Sequence, residues 1–254
     1  MPVQVESGRQ HKVESAPMRI LALETSTDMA SCALLSQGVW RSVDCPRGAG
    51  PEGQHSATLL PAVQRLIAAA GTGFSELDAI AFGSGPGAFT GLRLACALAQ
   101  GLAVPWNIPV VPVSSLAAMA WTASDGAVGT RILSLLDARM EEVYCAAFEI
   151  SERGCLEIAP VELLKPQALM TRTLPSVDCV CGNALIAYPD LQIWADAENQ
   201  VLPQIMPHAR AVGELGLFAF EGGGGMDAGL AIPGYVRNKV AQTVAERLAE
   251  GKRA

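Results

Sequence analysis

Four kinds of residue in this chain could support chemistry: a glycine-rich loop, two acids at strand ends, three histidines and seven cysteines. The loop "GSGPGAFTG" (83–91) lies between an apolar strand pattern and a helix pattern, where nucleotide phosphates are often held. Gly83, Gly85 and Ala88 fit G-x-G-x-x-A. Pro86, however, removes one of the backbone N–H groups such a loop offers a pyrophosphate. No acid follows about 20 residues later to hold a ribose, since that stretch reads "NIPVVPVSS". The strand is also third or fourth in a mixed sheet rather than first in a βαβ unit. A Walker A loop would need a Lys after Gly91, and Leu92 stands there. The loop therefore reads as a structural turn in which Gly83, Gly85, Gly87 and Gly91 supply backbone freedom and Pro86 supplies stiffness.

Glu24 in "ETST" and Asp137 in "DARMEE" follow apolar strand patterns. Acids at two such turns are what a phosphotransferase of the actin and sugar-kinase class needs to hold Mg²⁺ and orient a nucleophile. An ATP-dependent phosphotransferase is accordingly the rival reading. It lacks a clear adenosine loop in the second half, where "EGGGGMD" reads more simply as a flexible surface loop. The histidines are His11, His55 and His208. A helical metal pair would need a second His four residues after His55, where Leu59 stands, so His55 reads as a capping or surface residue and no metal site is expected. There is no G-x-S-x-G elbow and no visible nucleophile–base pair, which leaves a peptidase as a third and weaker reading. The cysteines (Cys32, Cys45, Cys96, Cys145, Cys155, Cys179 and Cys181) are odd in number and include no C-x-x-C, so they read as buried, reduced thiols. No catalytic residue is assigned.

These positions need elements to hold them. Residues 19–26 and 29–40 read as two strands of a hairpin opening an antiparallel meander. Residues 55–71 read as a helix, with apolar residues at i, i+3, i+4, i+7 and Gly71 as its stop; Pro61 either begins this helix or kinks it. A strand over 77–83, a helix over 90–103, a strand over 108–115 and the Ser-capped helix "SLAAMAWTA" follow. Residues 130–150 then echo residues 19–40: apolar strand, acidic turn, alternating strand. The echo points to two related subdomains. A strand near 177–185, a helix over 209–223, a "GGGG" loop and the stretch 231–241 come later. The expected division is a disordered leader over 1–17, a first subdomain over 18–113 and a second over 114–254.

The whole chain has 254 residues, half of them apolar, and a formal net charge of −7. That is ample for one large domain or two small ones. An acidic chain is a poor candidate for gripping a phosphate backbone by itself, so any nucleic acid would be reached through a partner. The leader lacks the apolar core of a secretion signal, and no apolar run reaches the ~18 residues a membrane span requires. A cytoplasmic protein without membrane contact is expected.

The helix over 90–103 carries one charge, Arg93, with Gln100 near it; leucines and small residues cover most of its circumference. A helix lying on one sheet face needs an apolar stripe of little more than ~100°, so something should cover its second side. Gly91, Ala95 and Ala99 recur every four residues, a spacing that lets another helix approach closely. The preceding helix also has a wide apolar face, and the pair reads as a joint docking surface for another protein. Its expected contacts are Leu59, Val63, Leu66, Leu92, Ala95, Leu98 and Leu102. The alternative is burial of both helices within the chain itself.

Six segments, "ILALETSTDMASCALL", "QHSATLLPAVQRLI", "LDAIAFGSGPGAFTGLRLACALAQGLA", "IPVVPVSSLAAMA", "LLDARMEEVYCAAF" and "PGYVRNKVA", resemble the bacterial TsaB family in order and spacing. The GPGAFTGLR block is the most specific, and the resemblance covers roughly residues 18–240. It implies an α/β fold of the actin/Hsp70/sugar-kinase type (ASKHA), made of two RNase H-like subdomains with the second reduced. It also implies a non-catalytic scaffold or activating subunit for threonylcarbamoyl transfer to the adenosine beside the tRNA anticodon. The implied partners are a homologous catalytic subunit, TsaD, and a small ATPase, TsaE, with tRNA reached only through the complex. TsaD carries a histidine-based metal site that the TsaB family lacks. The two N-terminal helices would form the face that docks on TsaD or, in the isolated chain, on a second copy. No cofactor is expected in the isolated chain, and any ATP or ADP would lie at the interface with the catalytic partner. The chain departs from many relatives in having Glu24 where they carry Asp, and its leader is longer than the family needs.

Overall fold

A computed structural model describes residues 17–46, 55–197 and 199–236. The apolar run "ILALE" becomes β1 (Ile20–Glu24), buried along its whole length. A strand with no exposed residue must be central, and β1 lies in the middle of a five-stranded sheet. It pairs antiparallel with β2 (Met29–Ser36), which pairs antiparallel with the edge strand β3 (Val39–Pro46). On its other side β1 runs parallel to β4 (Ala79–Gly85), which runs parallel to β5 (Val110–Ser114). The order is β3-β2-β1-β4-β5.

The second sheet repeats this plan. Strand β6 (Arg131–Asp137) pairs antiparallel with β7 (Val143–Ser151), and β7 with β8 (Gly154–Leu164). On the other side β6 runs parallel to β9 (Cys179–Cys181), and β9 to β10 (Gln200–Leu202). The order β10-β9-β6-β7-β8 is the first sheet's topology read from the other edge. The echo between residues 19–40 and 130–150 is therefore a duplicated fold, two RNase H-like units. The second is reduced, its parallel strands cut to three residues each.

Helices α1 (His55–Ala69) and α2 (Phe89–Ala103) cover one face of the first sheet. Pro61 lies inside α1 on its exposed side, so the Ala57 carbonyl it leaves unpaired can turn to water. Helices α3 (Ser115–Ala123) and α7 (Ala209–Glu221) fill the space between the two sheets and share one continuous core with both. Short helices α4 (Pro166–Met170), α5 (Ala184–Ala187) and α6 (Pro189–Asp196) cover the outer face of the second sheet. The expected division at 113/114 falls one residue before the end of β5. The chain past the second sheet, assigned from sequence to the second unit, nevertheless returns to the first. Helix α7 packs on β1, β2, β4 and β5, Val110 and Met226 form an antiparallel bridge, and Gly234 N donates to Ser84 O at 2.7 Å.

Two glycines in α7 explain how it fits. A Cβ at Gly213 would overlap the Trp40 ring, and one at Gly216 would overlap Ala81. Gly91 plays the same part in α2, since a Cβ there would overlap the Thr25 carbonyl oxygen. Gly101, nearly three turns on, has open space around it. Gly91→Ala should therefore destabilise the chain by about 2–3 kcal/mol through overpacking. Gly101→Ala should stabilise it by up to ~1 kcal/mol through helix propensity. Urea midpoints of the two variants read the contrast, and equal shifts would refute the close approach at Gly91.

Candidate functional site

The carboxyl end of β1 is the most constrained point of the chain. Glu24 is fully buried. Its Oε1 accepts from Ser26 N at 2.5 Å and its Oε2 accepts from Ser115 Oγ at 2.9 Å. Burial raises its carboxyl above the usual carboxylate range, and the hydrogen bonds from Ser26 and Ser115 oppose that rise only in part. The glycine loop lies directly on this strand end. A Cβ on Gly83 would overlap the Glu24 carboxylate, and one on Gly87 would overlap Ser26. Gly85 has φ +112 and is joined to Pro86 by a cis peptide bond. Ala88 N donates to Ser26 O at 2.7 Å, and Thr25 Oγ1 donates to Gly91 O at 2.6 Å. The loop's partner is thus the chain's own first turn.

Between the two units lies a cleft of about 550 Å³. One wall is the turn Ser26–Met29 with the loop from Pro86 to Phe89; the other is the β6–β7 turn with Asn183 and Met206; residues 234–236 close an end. Asp137, at the end of β6, corresponds in topology to Glu24 but faces this cleft. Its Oδ1 accepts from Arg139 N at 2.9 Å and from Tyr188 OH at 3.0 Å, and its own N–H donates to Asn183 Oδ1 at 2.9 Å. Burial, reinforced by the Asp137 carboxylate, pushes the Tyr188 phenol up to about 12, so it remains a donor at neutral pH. After Ala138, three residues in succession, Arg139, Met140 and Glu141, take left-handed φ of 56–58°. That costly conformation sits in a turn closed by Ala138 N donating to Glu142 O and Glu142 N donating to Arg139 O. It carries the Arg139 guanidinium to 3.3 Å from Asp137 and 3.1 Å from Asp28 on the opposite wall.

Several expectations meet these positions differently. The acid pair of a phosphotransferase does not assemble, because Glu24 is sealed beneath the glycine loop and does not line the cleft that Asp137 faces. Among the described residues no three His, Cys, Asp or Glu side chains come together as metal ligands. All seven thiols are free, and burial holds each above its ordinary range, several to about 11 or 12, which leaves them poor nucleophiles at neutral pH. His208 bonds Asp44 and the backbone of α7. His11 and the side chain of His55 lie outside the described residues, as do the rest of the leader through residue 16 and the chain after Val236.

The docking surface needs correction. Leu59, Val63, Leu66, Leu92 and Ala95 are at most 6% exposed; all but Leu92 belong to the core against the first sheet, and Leu92 lies beside Gly85 at the cleft. They are not available to another protein. Leu98 and Leu102 are half-buried at the edge of that core. Part of the second side of α2 is covered by the closing segment of the same chain: Gln100 Nε2 donates to Ala228 O and Ala231 O, and Arg93 Nε donates to Tyr235 OH. The strip left outward holds Leu60 and Gln64 on α1, and Leu94, Ala97, Leu98 and Gly101 on α2. Sequence reasoning missed Asp28, Arg139, Asn183, Tyr188 and Tyr235. Asp28, Arg139 and Tyr235 stand in blocks that carry the family resemblance, and Asn183 and Tyr188 do not.

Two five-stranded sheets of one topology, an interunit cleft and an acid at the end of each first strand define an ASKHA-type protein with two RNase H-like units. A family model described as "TsaD: tRNA N6-adenosine threonylcarbamoyltransferase" matches residues 46–187. The Escherichia coli protein named tRNA threonylcarbamoyladenosine biosynthesis protein TsaB is 34% identical over 88% of this chain and 96% of its own length. The Haemophilus influenzae protein of that name is 39% identical over 50% of this chain and 52% of its own length. A solved structure titled YeaZ from Pseudomonas aeruginosa has a TM-score of 0.73 at 33% identity, covering 86% of this chain and 99% of that one. Another from Pseudomonas aeruginosa, described as similar to peptidase YEAZ, has a TM-score of 0.74 at 34% identity, covering 87% and 100%. The chain belongs to the TsaB family.

Glu24 provides a test of the sealed site. Because its folded pKa is raised, its contribution to stability is present below the ordinary glutamate range and is lost as pH rises through the raised value. Glu24→Gln preserves an acceptor for Ser26 N and offers Ser115 a partner without a charge. It should match the wild type in acid and become relatively more stable as pH rises toward neutral. Glu24→Ala, which leaves both partners unpaired, should cost about 2–4 kcal/mol. Denaturant melts across pH read both; a Gln variant that loses stability with rising pH, relative to wild type, would contradict the sealed acid.

Proposed function

We propose that this protein is a non-catalytic scaffold subunit in the making of threonylcarbamoyladenosine on tRNA, and that it acts by holding and activating a TsaD-like catalytic subunit. The observation that carries this reading is the combination of kinship and missing chemistry. The chain matches a family model of the transferase across α1 and α2, yet its Glu24 is sealed and its described thiols are inert. A protein built like the enzyme, with no cluster of metal-ligating side chains among its described residues, suits a partner that reuses the enzyme's architecture for docking.

The docking face is the outward strip of α1 and α2, with Leu60, Leu94, Ala97 and Leu98 as its apolar centre. Small residues at Ala97 and Gly101 allow a partner helix to come close. The same face can meet its own copy about a two-fold axis, which makes a homodimer the expected state of the isolated chain. A TsaE-like ATPase completes the assembly. Nucleotide belongs at the interface with the catalytic subunit and not to the isolated chain, and tRNA is reached only through the complex, in keeping with a net charge of −7. The setting is the cytoplasm. No helix among the described residues is long and apolar enough to cross a membrane.

Ala97 is exposed and Leu98 half-buried, so an acid at either position can leave the fold intact. Ala97→Asp and Leu98→Asp should each weaken binding to the transferase subunit at least ~30-fold, the loss expected at an interface centre. Val128→Asp, on an exposed loop, should leave binding unchanged. Titration calorimetry with circular dichroism of each variant checks this. Unaltered affinity in folded Ala97→Asp and Leu98→Asp proteins would remove the face from the reading.

A further inference from the structure

We infer that His208 is a pH-sensitive fastener joining the edge strand β3 to helix α7. The residue stands at the N-cap of α7, and its ring makes two hydrogen bonds. Nδ1 lies 3.0 Å from Arg210 N, and Nε2 lies 2.9 Å from Asp44 Oδ1 on β3. A backbone N–H can only donate, so Nδ1 must present its lone pair. The ring proton is then on Nε2, which donates to Asp44. The imidazole is neutral in this arrangement although a carboxylate sits beside it.

The two bonds make opposite demands. Asp44 favours the imidazolium. The cap forbids it, because a proton on Nδ1 would point at the Arg210 N–H, and the positive end of the α7 dipole adds to the penalty. The other charged groups around the ring largely offset one another. Arg210 and Glu214 on α7 are paired with each other at 2.5 Å. Asp125, after α3, lies across a groove that His208, Arg210 and Glu214 also line. On β2 the neutral Ser31 Oγ accepts from Ala209 N. On β3, Arg41 alternates with Trp40 and Asp44 and points to the opposite face. The contest is thus between the acids, Asp44 foremost, and the cap.

When the ring takes a second proton it keeps Asp44 and releases Arg210 N. Ala209 remains tied to Ser31, so the loosening is confined to the first turn of α7 and the segment before it. That segment carries Met206, which forms part of the cleft wall. A proton at the surface is in this way connected to the cleft and to the open edge of the first sheet.

Nitrogen-15 and amide-exchange NMR on the full chain tests the proposal. At about pH 8 the ring should show an unprotonated Nδ1 and a protonated Nε2. The protection factor of the Arg210 amide, corrected for intrinsic exchange, should drop roughly fivefold by about pH 5, while that of Leu215 holds. His208→Asn keeps a capping acceptor that does not titrate, so its Arg210 protection should be flat with pH. A ring protonated on Nδ1 at the higher pH, a flat wild-type profile, or the same drop in His208→Asn would each overturn the inference.

Discussion

The structure depends on one close approach, that of the glycine loop to the end of β1. A buried carboxyl must find partners within the protein, because no water reaches it. Glu24 finds them on its own turn, at Ser26 N, and on the first turn of α3, at Ser115. Those partners can converge only if β4 and α2 pass with nothing but backbone between them, which is why glycines stand at 83, 87 and 91. One small region thereby locks β1, β4, α2 and α3 together. The spacing of the glycines mimics a phosphate cradle because both uses need backbone at close quarters. What occupies the space here is protein.

The same reasoning explains the middle of the molecule. Helix α3 is an almost uncharged run of small and apolar residues, buried from Ser115 through Ala120. Two sheets cover it, one on each side, and α7 lies beside it with glycines turned to the first sheet. An all-round apolar helix does need a second cover, and in α3 that cover is the second unit. In α2 it is partly the segment 228–235, fastened through Gln100 and Arg93. Since one core runs through both sheets, the Arg139 bridge to Asp28 spans a cleft whose walls are already joined below. An exposed pair of this kind adds little stability; its effect is to set where the β6–β7 turn points.

The sheets were legible in the sequence because strands β1, β2, β4, β5, β6 and β7 are strongly patterned, and the echo between residues 19–40 and 130–150 exposed the duplication. Strand β9 was read near 177–185, but strand β8, with Pro160 inside it, and the three-residue strand β10 were too weak to read. The return of α7 to the first sheet was invisible for another reason. Its glycines at 213 and 216 have meaning only beside Trp40 and Ala81, which lie far away in the chain. The interface residues failed similarly. Periodicity identified the apolar faces of α1 and α2, but a helical wheel does not say which apolar face meets the sheet. Leu59, Leu66 and Leu92 went inward, while Leu60, Leu94 and Leu98, of the same size, stayed at or near the surface with Ala97 and Gly101.

Duplication left the chain with two versions of one strand end, and their chemistry has diverged. In the first unit the acid is longer, fully buried and roofed by glycines. In the second it is Asp137, set at the cleft and held by Tyr188, Asn183 and a strained turn. A glycine marks the equivalent crossing in both: Gly83 against Glu24, and Gly182, where a Cβ would overlap the Leu135 carbonyl, beside β6. The steric requirement therefore survives in both halves, whereas access to the acid survives in only one. Close packing at the crossing is needed to join the parallel strand to the first strand, whatever the acid does. A carboxylate that borders the cleft is needed only for chemistry. The duplicated fold thus keeps the packing demand in both units and separates it from the chemical one in the first.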